Sequence, residues 1–365
     1  MNTPPTPDVK LLRGGRWTRP WLLTLTAACV GLLLVSLVGR GLHAPPAWFA
    51  MLTLVLPYLY GALGAALVTT WCLVPDRRTP PVLIGALLLA AGALWLVPHR
   101  ALDVPSSGEE VRLMTWNVQR LWGEAPDPYG CVVSAVQSES PDVLTLLEVS
   151  ANDVELLSAE LGMVCDHATY HGTGEGAVGG VATCALGDRW TLRDSKPQRY
   201  VDHRDWFYLF SELASGDEVL NVLAVHLTPY ALGSVDPSLW DLAPGSRLQG
   251  DVARTFRVQG DESAALLERV SKLKDPTVVM GDFNSTQDAA LHVTLRGHMM
   301  DAFRDAGRGA AGTADLFGWL PLRVDYVYAT PHGVEVVGAR VLPTECSDHR
   351  PVSSSMFVSR PRSST

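Results

Sequence analysis

Thr277-Val278-Val279-Met280-Gly281-Asp282-Phe283-Asn284 is a short apolar run that ends on a glycine and then on two polar side chains flanking an aromatic ring. Its first four positions show no polar alternation, the signature of a strand buried on both faces. Such a strand has no structural need for a carboxylate and an amide at its end. The same pattern recurs upstream. Met114-Thr115-Trp116 leads to Asn117, residues 143–147 lead to Glu148, and Val222-Leu223-Ala224-Val225 leads to His226. Polar groups collected at the ends of rigid strands are how α/β folds build sites, because the strands hold the side chains and the loops leave room for ligand.

Other runs of this kind occupy 111–118, 219–227, 324–328, 334–342 and 352–358, and helix-like segments lie at 131–139 and 262–273. The second helix is expected to start at Asp261, a good N-cap followed by acidic residues. Strands alternating with helices predict an α/β layered architecture. Strands at 163–170 and 180–186 flank a glycine-rich turn, 171–179, with Cys165 and Cys184 nearly equidistant from it. A disulfide across that hairpin and a pair of small buried thiols are both open readings.

The first hundred residues are different. Three uncharged apolar stretches, 21–39, 48–74 and 81–98, each approach or exceed the ~18–20 residues needed to cross a bilayer. Trp17, Trp21, Trp48, Trp71 and Trp95 sit near their ends, where indole rings favour the headgroup region. A cleaved signal peptide accounts for one such stretch but not three. Lys10, Arg13, Arg16, Arg19, Arg77 and Arg78 fall on one side, against Arg40 and Arg100 on the other. This bias predicts a cytoplasmic leader (1–20), a three-span membrane anchor (21–98), a linker (99–110) and an extracytoplasmic domain (111–359) with a short tail (360–365). Residues 1–100 carry a net charge of +6 and residues 101–365 a net of −15. The acidic part is a poor partner for a nucleic-acid backbone, which is bound mostly through Lys and Arg.

Thr115-Trp116-Asn117, Leu147-Glu148, Val225-His226-Leu227, Gly281-Asp282-Phe283-Asn284, Val324-Asp325-Tyr326 and Ser347-Asp348-His349-Arg350-Pro351-Val352 follow one another in this order. The set resembles the successive motifs of the endonuclease/exonuclease/phosphatase superfamily, across almost all of 111–359. The resemblance implies a two-sheet β-sandwich flanked by helices, four α/β/β/α layers in all, preceded here by the three transmembrane helices. It also implies a divalent-metal-dependent phosphoesterase. Glu148 is the expected metal carboxylate, assisted by Asn117 and Asp348, with Mg²⁺ (or Mn²⁺) as the ion, since hard cations take oxygen ligands. Asp282 is expected to orient or deprotonate water, and Asn284 to hydrogen-bond the phosphate. His349 is expected to contact the scissile phosphate, with Asp325 setting its tautomer. His226 is expected to donate to the phosphate or leaving oxygen. A histidine there is similar to the deoxyribonuclease, sphingomyelinase and inositol-phosphatase branches rather than to abasic-site endonucleases.

The expected substrate is a phosphate ester, either a lipid headgroup or a nucleic acid, and the sequence points to no protein partner. An extracellular nuclease and a catalytically inactive scaffold of the same fold are the alternatives, although every motif position carries a competent residue type. A transporter is disfavoured because the apolar stretches hold no Asp, Glu, Lys or Arg. His167 and His171 are expected on the surface. Arg254 and Arg257 are expected to flank the second helix, and the loop at 230–246 to select substrate.

Overall fold

The computed structural model describes residues 108–170, 179–201, 206–230, 247–316 and 320–359, with scattered positions before residue 100, 58–66 among them. The chain divides into two units, Met1–Val38 with Val55–Trp95, and Gly39–Leu54 with Leu96–Thr365. In the first unit the described positions are helical, and Leu56 and Tyr60 are buried. Among the described residues no helix is long and apolar enough to cross a membrane. The stretches at 21–39, 48–74 and 81–98 lie largely outside those residues.

The second unit opens with β1 (Glu109–Asn117), a 3-10 turn (Gln119–Leu121), α1 (Pro128–Glu139), β2 (Val143–Leu147), α2 (Ala151–Leu161), β3 (Val164–Thr169) and β4 (Gly180–Ala185). There follow β5 (Thr191–Arg199), β6 (Phe207–Ser215), β7 (Glu218–His226), α3 (Arg247–Lys272), β8 (Thr277–Asp282) and α4 (Ala290–Arg296). The chain then passes through β9 (Met300–Asp301), α5 (Ala302–Ala306), β10 (Gly307–Arg308), β11 (Ala314–Leu316) and β12 (Leu320–Leu322). It closes with β13 (Asp325–Ala329), β14 (Val334–Val341) and β15 (Val352–Val358).

One sheet has the order β10-β14-β15-β1-β2-β4-β3 and the other β5-β6-β7-β8-β13-β9, with β11 and β12 forming a separate ribbon. The central strands are apolar on both sides, and their period of two divides them between layers. Val111 and Leu113 of β1 meet Val278 and Met280 of β8 and Val327 of β13 in the core between the sheets. Met114 and Trp116, on the opposite face of β1, pack on Val132, Val136, Val154 and Leu157 of α1 and α2. Val279 of β8 and Tyr326 and Tyr328 of β13 pack outward on Val252, Phe256 and Leu266 of α3 and on Leu291 and Leu295 of α4. The result is the four-layer α/β/β/α arrangement.

Several elements, β5, β6 and α2 among them, lie outside the apolar runs and helix-like segments set out above. β5 is a polar edge strand carrying Pro197 and exposed at most positions, so it lacks the apolar signal; Pro is tolerated there because an edge has unpaired positions. Its partner β6 opens with Phe207-Tyr208-Leu209-Phe210 and is buried at most positions. α2 buries only Val154 and Leu157, and its start is marked by Ser150, whose Oγ accepts from the Asp153 amide at 3.1 Å.

The expectation for the helix at 262–273 is corrected. α3 begins at Arg247, so Asp261 and Glu262 are interior residues and not a start signal. Glu262 is fully buried because it turns inward to bond Thr228. Acidic residues in mid-helix look like a first turn when the preceding turns are rich in Gly, Asp and Arg.

Cys165 stands opposite Cys184 in the β3–β4 register, and the two are disulfide-bonded. A second disulfide, which the spacing did not suggest, joins Cys131 of α1 to Cys346 across 215 residues. It ties α1 to the turn that carries Ser347, Asp348 and His349. Removing a long-range native disulfide typically costs about 2–5 kcal/mol. The Cys131→Ser/Cys346→Ser double variant is therefore expected to melt about 5–15 °C lower in a thermal scan. An unchanged melting temperature would show that the link contributes nothing to the fold.

Candidate active site

Register places the first three polar residues. β7 runs parallel to β8 with His226 beside Asp282, and β8 runs antiparallel to β13 with Asp282 beside Asp325. Three strand ends thus present His226, Asp282 and Asp325 in one row. Gly281 makes this close pairing possible. Its φ is +146°, and a Cβ there would lie 1.9 Å from the Val225 carbonyl oxygen. After Asp282 the chain turns through Asn284 in the left-handed region, φ +46°, and the Asn284 amide donates to Asp282 Oδ1 at 2.7 Å. One amide hydrogen of Asn284 Nδ2 goes to the Leu227 carbonyl at 3.0 Å, leaving the other for a ligand.

The other sheet supplies Asn117 and Glu148. β1 and β2 are parallel, with Asn117 beside Leu147, so Glu148 follows one position later in a left-handed conformation, φ +53°. Asn117 is buried, and its Nδ2 donates to Glu148 Oε1 at 3.0 Å and to Asp282 Oδ2 at 3.1 Å. The second contact crosses between the sheets. His167, expected on the surface, is half-buried, and its Nε2 lies 3.0 Å from the Val149 carbonyl, where it holds the chain just after Glu148. His171 and the loop at 231–246 fall outside the described residues.

His349 arrives on the turn before β15. Its Nδ1 lies 2.9 Å from Asp325 Oδ2, and its Nε2 is 3.8 Å from Asp282 Oδ2. The Ser347 hydroxyl donates to the Asn117 carbonyl at 2.8 Å, and Trp116 Nε1 donates to the His349 carbonyl at 2.9 Å, so the turn is bound to the end of β1. Burial acts to lower the His349 pKa, but the Asp325 and Asp282 carboxylates, the hydrogen bond to Asp325 and the charge of Asp348 outweigh it and raise the pKa to about 10. The ring is therefore cationic at neutral pH. Burial raises the Asp282 pKa to about 6, opposed by His349 and His226 and reinforced by Asp325. A carboxyl poised there exchanges protons near neutrality.

His226 is 4% exposed, with Nε2 3.7 Å from Asp282 Oδ2 and 3.8 Å from Glu148 Oε1. Neither ring nitrogen has a hydrogen-bond partner among the described residues. Asp325 Oδ1 is likewise buried without one. Buried polar atoms are nearly always satisfied, so unmet groups at neighbouring strand ends mark a candidate place for a ligand.

The residues fit a hard divalent cation on one side of this cluster. Glu148 offers a carboxylate with 32% of its side chain exposed, and Asn117 Oδ1, which accepts from the Gln119 amide at 3.1 Å, keeps a second lone pair. Asp282, Asp325 and His349 also bring ligand atoms within 4.8 Å of one another. Within that trio His349 Nδ1 is hydrogen-bonded to Asp325 Oδ2 at 2.9 Å. Asp348 differs from the buried Asn117, Asp282 and Asp325. It is exposed, contacts Ser347 Oγ at 3.3 Å, and lines a cleft of about 820 Å³ with Gln119, Trp122 and Arg350.

Arg254 and Arg257 lie on the outer face of α3, along a groove toward α4, and not at the strand ends. Gln259 was not singled out by the sequence, yet it is fully buried and its Nε2 donates to the Thr228 carbonyl at 2.8 Å and the Asn284 carbonyl at 3.1 Å. It therefore clamps together the chain after His226 and the chain after Asp282. Gln259→Met keeps the volume and leaves both carbonyls unmet, which is expected to cost about 1 kcal/mol of stability. Turnover should fall roughly ten- to a hundredfold through misplacement of His226 and Asn284. Wild-type turnover in this variant would show that the clamp does not position the site.

A model of the Endonuclease/Exonuclease/phosphatase family matches residues 114–349. Solved structures share the fold. An endonuclease/exonuclease/phosphatase from Bacteroides vulgatus matches at 16% identity, covering 69% of this chain and all of its own, with a TM-score of 0.54. The human Nocturnin catalytic domain with bound sulfate matches at 18% identity, covering 68% of this chain and 94% of its own, with a TM-score of 0.51. The mannosyl-6-phosphatase Bt3783 of Bacteroides thetaiotaomicron VPI-5482 matches at 14% identity, covering 68% of this chain and 99% of its own, with a TM-score of 0.50. No curated protein sequence matches the chain.

Proposed function

The chain belongs to the Endonuclease/Exonuclease/phosphatase family, and from that premise we propose that it is a divalent-metal-dependent phosphoesterase anchored in a membrane with its catalytic domain on the extracytoplasmic side. The observation that carries the reading is the Asn117 amide bridging Glu148 and Asp282 across two sheets, opposite a hydrogen-bonded His349–Asp325 pair.

Glu148 and Asn117, with Asp348 assisting, would hold a cation such as Mg²⁺ or Mn²⁺, which would supply charge neutralisation at the phosphate and a lowered pKa for water. The chain's own residues do the rest. Asp282, with its pKa near 6, accepts a hydrogen bond from the attacking water and takes its proton. His349, held cationic by Asp325, pairs with a phosphate oxygen and stabilises charge that builds there. Asn284 offers its free amide hydrogen to the phosphate. His226, with both nitrogens unpartnered, donates to the phosphate or the departing oxygen.

Three uncharged apolar stretches and the Lys/Arg bias support the anchor and its orientation. The two disulfides favour an oxidising compartment. Within phosphate esters, the net charge of −15 over 101–365 favours a lipid headgroup over nucleic acid. The test is hydrolysis of bis-p-nitrophenyl phosphate and p-nitrophenyl phosphate by the full chain in detergent with Mg²⁺. Turnover of neither ester would remove the enzymatic reading. A carboxy-terminal alkaline-phosphatase fusion reports the orientation, and an inactive fusion would reverse it.

A further inference from the structure

Tyr170 lies one residue beyond β3 and belongs to none of the motifs. It is 8% exposed, and its backbone amide donates to the Gly179 carbonyl at 2.9 Å. Its ring is held on three sides. Trp206 stacks on it at 4.4 Å with 12° between planes, Phe207 lies at 5.0 Å, and the His226 ring meets it edge-on at 5.9 Å. Trp206 is itself anchored, its Nε1 donating to the His226 carbonyl at 2.7 Å. The Tyr170 ring and His226 thus form one rigid block.

The hydroxyl of this immobilised ring is buried and has no hydrogen-bond partner among the described residues. Tyr170 sits in the field of Glu148, Asp282 and Glu262, and the first two of those carboxylates also lie 3.7–3.8 Å from His226 Nε2. Two adjoining side chains of one aromatic block therefore carry unmet polar atoms, and both feel the same pair of carboxylates. A stacked ring cannot turn to find another partner, and leaving a buried O–H unmet is unfavourable. Burial, with those three acidic neighbours, pushes the phenol well above its ordinary pKa, so it stays a neutral donor.

We propose that Tyr170 is a further catalytic residue, whose hydroxyl donates a hydrogen bond to a non-bridging phosphate oxygen of the substrate beside His226. The proposal rests on the phosphoesterase reading. It adds a neutral donor, supplied by the aromatic block, to the charged contact made by His349.

The test is Tyr170→Phe in the full chain, which keeps the ring and its stacking and removes only the hydroxyl. With bis-p-nitrophenyl phosphate, kcat/KM is expected to fall roughly ten- to a hundredfold, the range for one hydrogen bond to a charged group. The same factor is expected with a methyl p-nitrophenyl diester, because a non-bridging contact is indifferent to the other substituent. The Ki of inorganic phosphate should rise in parallel while the melting temperature stays unchanged. Wild-type kcat/KM and Ki in the variant would overturn the proposal and leave Tyr170 as packing. A loss of activity that merely tracks a lowered melting temperature would overturn it too. Inactivity of the wild-type chain refutes the phosphoesterase reading itself, an outcome distinct from either.

Discussion

Asp325→Asn is expected to lower kcat/KM about 10²- to 10⁴-fold and to move the alkaline limb of the pH profile down from about pH 10 toward 6.5. Asp325 Oδ2 sits 2.9 Å from His349 Nδ1 and is buried. Burial alone acts to discharge the ring, and the Asp325 carboxylate is the largest influence opposing it. With asparagine there, burial gains ground and the imidazole loses its proton at a lower pH. The wild-type enzyme should stay active well into alkaline pH because the cation persists. The variant should lose that contact with phosphate near neutrality.

The same shift bears on stability. The folded-state pKa of His349 is raised above the ordinary 6.5, so its contribution is complete below about pH 6.5 and is lost as pH rises through about 10. Asp282, also raised, withdraws stability between its ordinary 3.8 and about 6. A pH–rate profile of wild type and variant checks the first expectation. An alkaline limb that does not move would separate Asp325 from the protonation state of His349.

Chelation of divalent cations should have a comparable effect. EDTA is expected to reduce turnover of bis-p-nitrophenyl phosphate at least about a thousandfold, since a bound cation supplies several kcal/mol of charge stabilisation and each decade of rate corresponds to about 1.4 kcal/mol. Mg²⁺ or Mn²⁺ in excess should restore it. Glu148→Gln should show a loss of similar size, with part of the activity recovered at high Mg²⁺. The substitution exchanges the carboxylate proposed to hold the ion for a neutral amide while leaving Asn117 Nδ2 an oxygen to bond. The melting temperature should change little, because 32% of the Glu148 side chain is exposed. Activity that survives EDTA would refute the metal-dependent mechanism. Full activity in Glu148→Gln would move the ion to other ligands.

The lesson of Glu262 and Gln259 differs from that of the motif residues. Asp282, Asn117 and His226 stand out in sequence because a polar side chain at the end of an apolar run is anomalous. Glu262 and Gln259 sit in a polar helix where nothing is anomalous, and their importance arises only because α3 lies against the strand ends. Tyr170 is hidden for the opposite reason. An aromatic residue at the end of a strand reads as core, and only the unmet hydroxyl distinguishes it.

Resemblance to the family implied Asp325 and the Ser347-Asp348-His349 motif; taken alone, the sequence determined the layered α/β class and the strand ends that carry Asn117, Glu148, His226 and Asp282. The class and those strand ends are local properties: hydrophobic period, run length and the residue that interrupts the run. Tertiary structure decided which of those ends meet. Asn117 reaches Asp282 only because two sheets pack face to face with those ends together. His349 keeps its charge at neutral pH only because folding sets it beside the Asp325 and Asp282 carboxylates, which outweigh its burial. Cys131 finds Cys346 across 215 residues for the same reason. Distances between elements remote in the chain depend on packing of the whole core, and protonation depends on those distances.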